Sequence, residues 1–268
     1  MDARLEMWEQ WMRATGATDK TISTRINGVK ALCMHAGEKN RPADPVSITT
    51  MDVIAWLADC RTQWTRRTYA TSARAWHKWL VEQGLRSDDP TTVIPTVPQP
   101  DGVARPAATE AVRDTLEHSV RKTRAYITLA TYEGLRCFEI AKLRGDHFTD
   151  GWLMVAGKGG QPAALPVHPA VKMLQRGFPP RGFWFPGTCD GHVHPDSVSE
   201  TVSAAFHRRG HDITAHQLRH WFGTWCQRTG KDVRVTQELM RHRSLASTQI
   251  YTAVSSLAKV EIVRRLEA

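Results

Sequence analysis

The chain has 268 residues, 41% of them hydrophobic, and a formal net charge of +9. That length accommodates two ordinary domains with a substantial core, and the positive balance favours a polyanionic partner. No run approaches the roughly 18 apolar residues of a membrane span, the start MDARLEMWEQW is unlike a signal peptide, and the cysteines at 33, 60, 137, 189 and 226 include no Cys-x-x-Cys pair, so the expectation is a cytoplasmic protein with reduced thiols and no disulfide framework.

Four helical patterns are predicted in residues 1–88, at 2–14, 19–36, 50–60 and 63–83, with turn signals at Gly16, Gly37, Pro42, Pro45 and Gly84. In the second, Ile22, Ile26, Val29, Cys33 and Ala36 form a core stripe. On the fourth, Tyr69, Ala73, Trp76 and Leu80 cluster on one side, and Arg67, Arg74 and Lys78 lie almost opposite. A face that is merely soluble usually mixes signs, so these three cations are candidate DNA-phosphate contacts, against the plainer reading of a solvated charged face. The pairs Trp8/Trp11 and Trp76/Trp79 are assigned to core packing.

Residues 89–106 carry prolines at 90, 95, 98, 100 and 106, which remove backbone donors and block helix. They are expected to form an extended connection between two lobes able to close around a rod-like ligand such as duplex DNA. In residues 107–268, Thr109 is expected to cap a helix with Val112, Leu116 and Val120 on one face, and a buried helix over 123–133 ends at Gly134. Arg136 then opens a helix running to Leu143. Strands at 151–156 and 163–167 flank the turn Gly157-Lys158-Gly159-Gly160, which puts Lys158 at a hairpin tip. That run is not a P-loop, which needs Gly-x-x-x-x-Gly-Lys-Ser/Thr opening a helix, so ATP binding is rejected. A short strand at 183–185 and a helix over 195–208 follow. His192-x-His194 reads as a surface loop, with a metal site the lesser alternative. The fold class predicted is mainly α with a small β-sheet.

Residues 214–252 hold the densest chemistry. Thr214 and Gln217 form a capping-box signature, so a helix starts at Ala215 and offers its N-terminus as an anion site. Leu218, Phe222 and Trp225 share one face; His216, Arg219 and His220 point away and are expected to be displayed, not buried. Gly230 ends this helix, Asp232 caps a second through Met240, and Ser244 starts a third that carries Tyr251.

Arg136 after Gly-Leu, Lys158 in a Gly-Lys-Gly hairpin, His216-x-x-Arg219-His220, His242, and Tyr251 nine residues later together resemble the tyrosine recombinase family, the phage integrases and Xer-type recombinases. The resemblance covers the whole chain. It implies a helical core-binding domain over 1–88, a linker over 89–106 and an α+β catalytic domain over 107–268, as in two-domain members without an arm-binding domain. It also implies Tyr251 as nucleophile, Arg136 and Arg219 as the clamp on the scissile phosphate, Lys158 as general acid, His216 assisting proton transfer and His242 binding the phosphate. Glu139 takes the supporting acidic position that orients the arginine, and His220 a structural one. No metal ion or other cofactor is implied. The implied partners are double-stranded DNA recombination sites, a homotetramer on two duplexes, and accessory DNA-bending or directionality proteins. The tail after Tyr251 packs on its own domain or reaches a neighbouring protomer.

The chemistry fits. Two bidentate arginines neutralise a phosphodiester in fixed geometry, and a phenol with an ordinary pKa of about 10 must lose its proton as it attacks. A type IB topoisomerase and a non-catalytic DNA-binding regulator are the alternatives. Two departures stand out: Met240-Arg241-His242 occupies a place where Leu-Gly-His is typical of the family, and Gln161-Pro162 follows the hairpin turn where a basic residue is more typical.

Overall fold

A computed structural model of the protein describes residues 2–37, 42–99, 104–156, 162–230 and 232–241. Two compact units divide the chain, Met1–Asp101 and Gly102–Ala268.

The first unit is built from α1 (Ala3–Ala14), α2 (Asp19–Ala36), α3 (Thr50–Ala58) and α4 (Gln63–Glu82). Each begins on an oxygen-bearing residue, Asp2, Thr18, Thr49 or Thr62, whose side chain accepts a backbone N–H of the first turn. These caps satisfy donors that have no partner inside the helix. Leu5, Trp8 and Met12 of α1 meet Ile26, Val29 and Leu32 of α2 and Ala73, Trp76 and Leu80 of α4 in one core. Trp8 lies 5.1 Å from Trp76, which stacks on Trp79 at 5.3 Å. The Trp76 indole N–H donates to the Pro45 carbonyl at 2.9 Å. Trp8, Trp76 and Trp79 are therefore core residues, whereas Trp11 remains 38% exposed. Within the linker segment, Ile94 and Val97 pack against this same core.

In the second unit, α5 (Thr109–Glu117), α6 (Arg121–Tyr132) and α7 (Cys137–Ala141) precede a three-stranded antiparallel sheet, β1 (Phe148–Thr149), β2 (Trp152–Ala156) and β3 (Pro162–Pro166), in the order β1-β2-β3. Leu153 pairs with Leu165, and Leu153, Val155 and Leu165 turn inward, as the two-residue side-chain alternation of a strand requires. Then come α8 (Pro169–Gln175), β4 (Pro186–Cys189), α9 (Pro195–Arg208), α10 (Ala215–Gly230) and α11 (Val233–Met240). The core gathers Tyr126, Ile127, Leu129, Leu135, Ile140, Phe185, Phe206 and Leu218. Among the described residues no helix is long and apolar enough to cross a membrane.

Several expectations are corrected. Ala108, not Thr109, is the N-cap of α5; the Thr109 hydroxyl instead accepts the Trp221 indole N–H at 3.0 Å. The strand expected at 183–185 lies at Pro186–Cys189. Its aromatic residues serve the core: Trp184 stacks on Phe178 at 4.5 Å and on Phe148 at 5.0 Å, and Phe185 is 2% exposed. His192 is not on a surface loop but 3% exposed, its Nδ1 2.7 Å from the Val193 carbonyl oxygen. His194 caps α9 instead of pairing with it.

Candidate active site

The site begins at the turn between α6 and α7. Gly134 follows α6 with φ of 58°, and a Cβ there would fall 2.3 Å from Phe222 Cδ1, so both conformation and space select glycine. Leu135 is anchored at 1% exposure. Arg136 then caps α7: its backbone N–H donates to Glu139 Oε2 at 2.8 Å and its Nη1 to Oε1 at 3.0 Å. One carboxylate thus grips the arginine at root and tip. The Glu139 side chain is 1% exposed and that of Arg136 27%, so Arg136 is fixed from inside and open outside.

α10 brings the next residues. Gln217 accepts the Thr214 N–H at 2.9 Å, which starts the helix where the sequence placed it. The expectation of a displayed cluster holds for His216, which is exposed, but fails for Arg219 and His220, at 3% and 8% exposure. Arg219 donates to the carbonyls of Gly134 and Met240, so the α6–α7 turn and α11 cover a face that the helical wheel counted as free. His216 and His220 meet edge to face, ring centroids 4.4 Å apart.

The charges here tune one another. Desolvation, then the cations Arg219 and Arg136, hold the His216 pKa below its ordinary value. Burial, with His216 and Arg219 nearby, pushes His220 down to about 4. Both imidazoles are therefore held towards the neutral form, able to accept a proton. Burial pushes Glu139 up, but Arg241, the Arg136 N–H, Arg219 and Arg136 outweigh it and hold the carboxyl below its usual range.

Two further residues join the site: Glu133, which the sequence reading did not single out, and Arg241, which it marked only as a departure from Leu-Gly-His. Arg241 ends α11 with φ of 52° and turns inward: its side chain is 4% exposed, and Nη2 donates to Glu139 Oε2 and to the Gly134 carbonyl, each at 2.9 Å. Glu133 is buried, accepts the His168 N–H at 2.6 Å, and is pushed up to about 7 by burial. A carboxyl closing an otherwise buried helix just before Gly134 was the sequence signal for it; the bulky cation beside His242 was the signal for Arg241.

Lys158, His242 and Tyr251, the remaining residues expected in the site, lie outside the described residues, as does the helix expected from Ser244. On the first unit, the positive face of α4 has a local use. Arg67 Nη1 donates to the Val97 carbonyl at 2.8 Å, and Arg74 Nη2 to those of Ile94 and Pro95 at 2.8 and 2.7 Å, while Lys78 faces Glu82 at 3.6 Å. The guanidiniums strap the linker to α4, and one acid does join the face.

For a metal, the one candidate grouping among the described residues is Cys189, Asp190 and His192, whose ligand atoms lie within 4.8 Å of one another. It belongs to the turn after β4 and includes none of the arginine–histidine cluster.

The sequence model of the phage integrase family matches residues 106–257, more than half of the chain. The chain belongs to this family, the tyrosine recombinases. As a tyrosine recombinase it is an enzyme that cleaves and rejoins DNA strands. Relatives include the tyrosine recombinase XerC of Pseudomonas putida, 30% identical over 199 residues that cover 68% of this chain and 67% of that protein. XerC of Neisseria meningitidis is 29% identical over 207 residues, 69% of this chain and 68% of that one. Among solved structures, the integrase from mycobacterium phage Brujita is 36% identical, covering 98% of this chain and 92% of its own, with a TM-score of 0.52. A lambda integrase dimer bound to a COC′ core site has a TM-score of 0.73 at 18% identity, over 94% of this chain and 76% of that one, a likeness of fold. The arginine–histidine cluster of this recombinase lies inside the matched span.

Proposed function

We propose that the protein is a site-specific recombinase of the integrase type, cutting and resealing DNA through a 3′-phosphotyrosyl intermediate without ATP. One observation carries this reading: Arg136, His216 and Arg219, 83 positions apart along the chain from first to last, act on one another electrostatically at a single site, with Glu139 orienting Arg136. Two guanidiniums and a neutral imidazole suit a phosphodiester in transit. In the proposed step the Tyr251 phenol oxygen attacks phosphorus and gives up its proton, which His216 is able to accept. The phosphorus–5′-oxygen bond breaks, and Lys158 protonates the departing oxygen. His242 holds a non-bridging oxygen. Because the phosphotyrosyl bond retains the energy of the phosphodiester, a 5′-hydroxyl from a second strand attacks it, reseals the DNA and frees the phenol.

The likeness to a phage integrase at 36% identity along nearly the whole chain favours the integrase role over a chromosomal Xer one. Among the solved relatives, a lambda integrase tetramer is bound to a Holliday junction, which supports a tetramer on two duplexes for this protein too. On the first unit we assign phosphate contact to α4, whose Lys78 is the most open of the three cations at 74% side-chain exposure.

The test is a duplex nicked beside the cleavage point, so that the released fragment diffuses away and traps the adduct. Wild-type protein should form a covalent protein–DNA species and Tyr251→Phe none. Equal adduct from both would refute the assignment of Tyr251, and no adduct from wild type would leave a DNA-binding regulator. Relaxation of supercoils without joining of two different duplexes would instead favour the topoisomerase task.

A further inference from the structure

The residue that caps the C-terminus of α11, Arg241, has no assigned role. Its φ of 52° is the left-handed conformation that glycine takes without strain. A long cationic residue held there, with its side chain 4% exposed, needs strong internal partners. It has them: Nη2 reaches Glu139 Oε2 and the Gly134 carbonyl, both at 2.9 Å, Nη1 reaches the Leu239 carbonyl at 2.9 Å, and Nε reaches Glu139 Oε1 at 3.4 Å. Glu139 is the same carboxylate that grips Arg136 by its N–H and Nη1. The Gly134 carbonyl is the same one that accepts from Arg219.

We infer that Arg241 is a positioning residue: its buried guanidinium clamps the Glu139 carboxylate and the Gly134 turn together, and so fixes Arg136 and Arg219 in the geometry that receives the scissile phosphate. The inference rests on the reading of those two arginines as the phosphate clamp. A direct phosphate contact by Arg241 is the competing role, and the geometry speaks against it. The side chain points into the protein, and each of its three nitrogens already faces a carbonyl or carboxylate oxygen. Among the guanidiniums of Arg136, Arg219 and Arg241 the Glu139 carboxylate is held ionised, below its usual range, whereas burial raises Glu133 to about 7. Arg241 supplies a planar fork where a lysine would supply a point charge.

The variants are Arg241→Gly, which suits the backbone and deletes only the side chain, and Arg241→Lys, which keeps the charge. At saturating nicked duplex, Arg241→Gly should lose on the order of 10- to 100-fold in single-turnover adduct formation, the size of effect expected when a reacting geometry slips by about 1 Å. Its DNA affinity and salt dependence should stay within about twofold of wild type, because no phosphate contact is removed. Arg241→Lys should recover part of the rate. In a Glu139→Gln background Arg241→Gly should cost little more, since both act through one carboxylate. Independently of cleavage, the Arg136 guanidinium NMR signals, assigned with Arg136→Lys, should be slowly exchanging in wild type and lose that protection in Arg241→Gly. Wild-type cleavage by Arg241→Gly, additive losses with Glu139→Gln, or a matching loss of DNA affinity with a shallower salt slope would overturn the inference. So would unchanged Arg136 signals in Arg241→Gly, even if wild type formed no adduct; absence of adduct with the expected change in those signals would refute the recombinase reading and leave the clamp standing.

Discussion

Gly134→Ala tests the geometry on which the site depends. An L-residue held in the left-handed region costs about 1–2 kcal/mol, and the backbone here has φ of 58°. The new Cβ would lie 2.3 Å from Phe222 Cδ1 and 2.8 Å from Cε1. No real contact is that short, so the ring must shift, and overpacking of this kind costs about 1–3 kcal/mol. The two effects give about 2–5 kcal/mol, a large share of the roughly 5–15 kcal/mol that holds a typical protein folded. At about 2–4 °C per kcal/mol for a domain of this size, the melting temperature should fall by roughly 4–20 °C. Thermal and urea unfolding of the full chain measure it. The double variant Gly134→Ala with Phe222→Ala separates the causes, because removing the ring should relieve the clash and leave only backbone strain. A melting shift under about 2 °C, or losses that simply add in the double variant, would refute the reasoning.

Glu133 supplies a pH-dependent prediction. Its carboxyl is raised from 4.5 to about 7, so between those values the folded state holds more proton than the unfolded state, and stability falls as pH rises. Glu133→Gln should remove that fall, matching wild type near pH 4 and exceeding it by up to about 3 kcal/mol above pH 7; parallel stability–pH curves would contradict it. The linker strap gives another. Arg74→Ala frees the Ile94 and Pro95 carbonyls, so limited proteolysis within residues 89–99 should quicken several-fold, while cleavage elsewhere in the first unit stays as in wild type.

What the sequence revealed was local. The stripe of α2, the Thr214–Gln217 start of α10 and the Asp232 cap of α11 are each written within a few consecutive residues, and the structure forms them where expected. Arg219 was misjudged for the opposite reason. A helical wheel describes one helix, and the carbonyls that bury its guanidinium come from Gly134 and Met240. Arg67 and Arg74 likewise found loop carbonyls, partners that carry no sequence period. The strand expected at 183–185 failed because aromatic residues suit a strand and a core plug equally well. α8, a short helix opened by Pro169, and the two-residue β1 had too little pattern to register. Of the recombinase constellation, Arg136, Glu139, His216, Arg219 and His220 can be followed in three dimensions, and their order in the sequence was the clue that linked them.

The Gly134 carbonyl also bears on how the protein is made. It accepts from arginines 85 and 107 positions later in the chain. At the usual pace of synthesis, about 5–20 residues per second, roughly 4–20 seconds pass between the emergence of that carbonyl and of its donors. During that interval a nascent chain carries Arg136 without its second guanidinium partner. On the proposed reading of Arg136 and Arg219 as a phosphate clamp, that clamp is completed late in folding, once α10 and α11 have docked, and a chain cut short before Arg219 lacks it altogether.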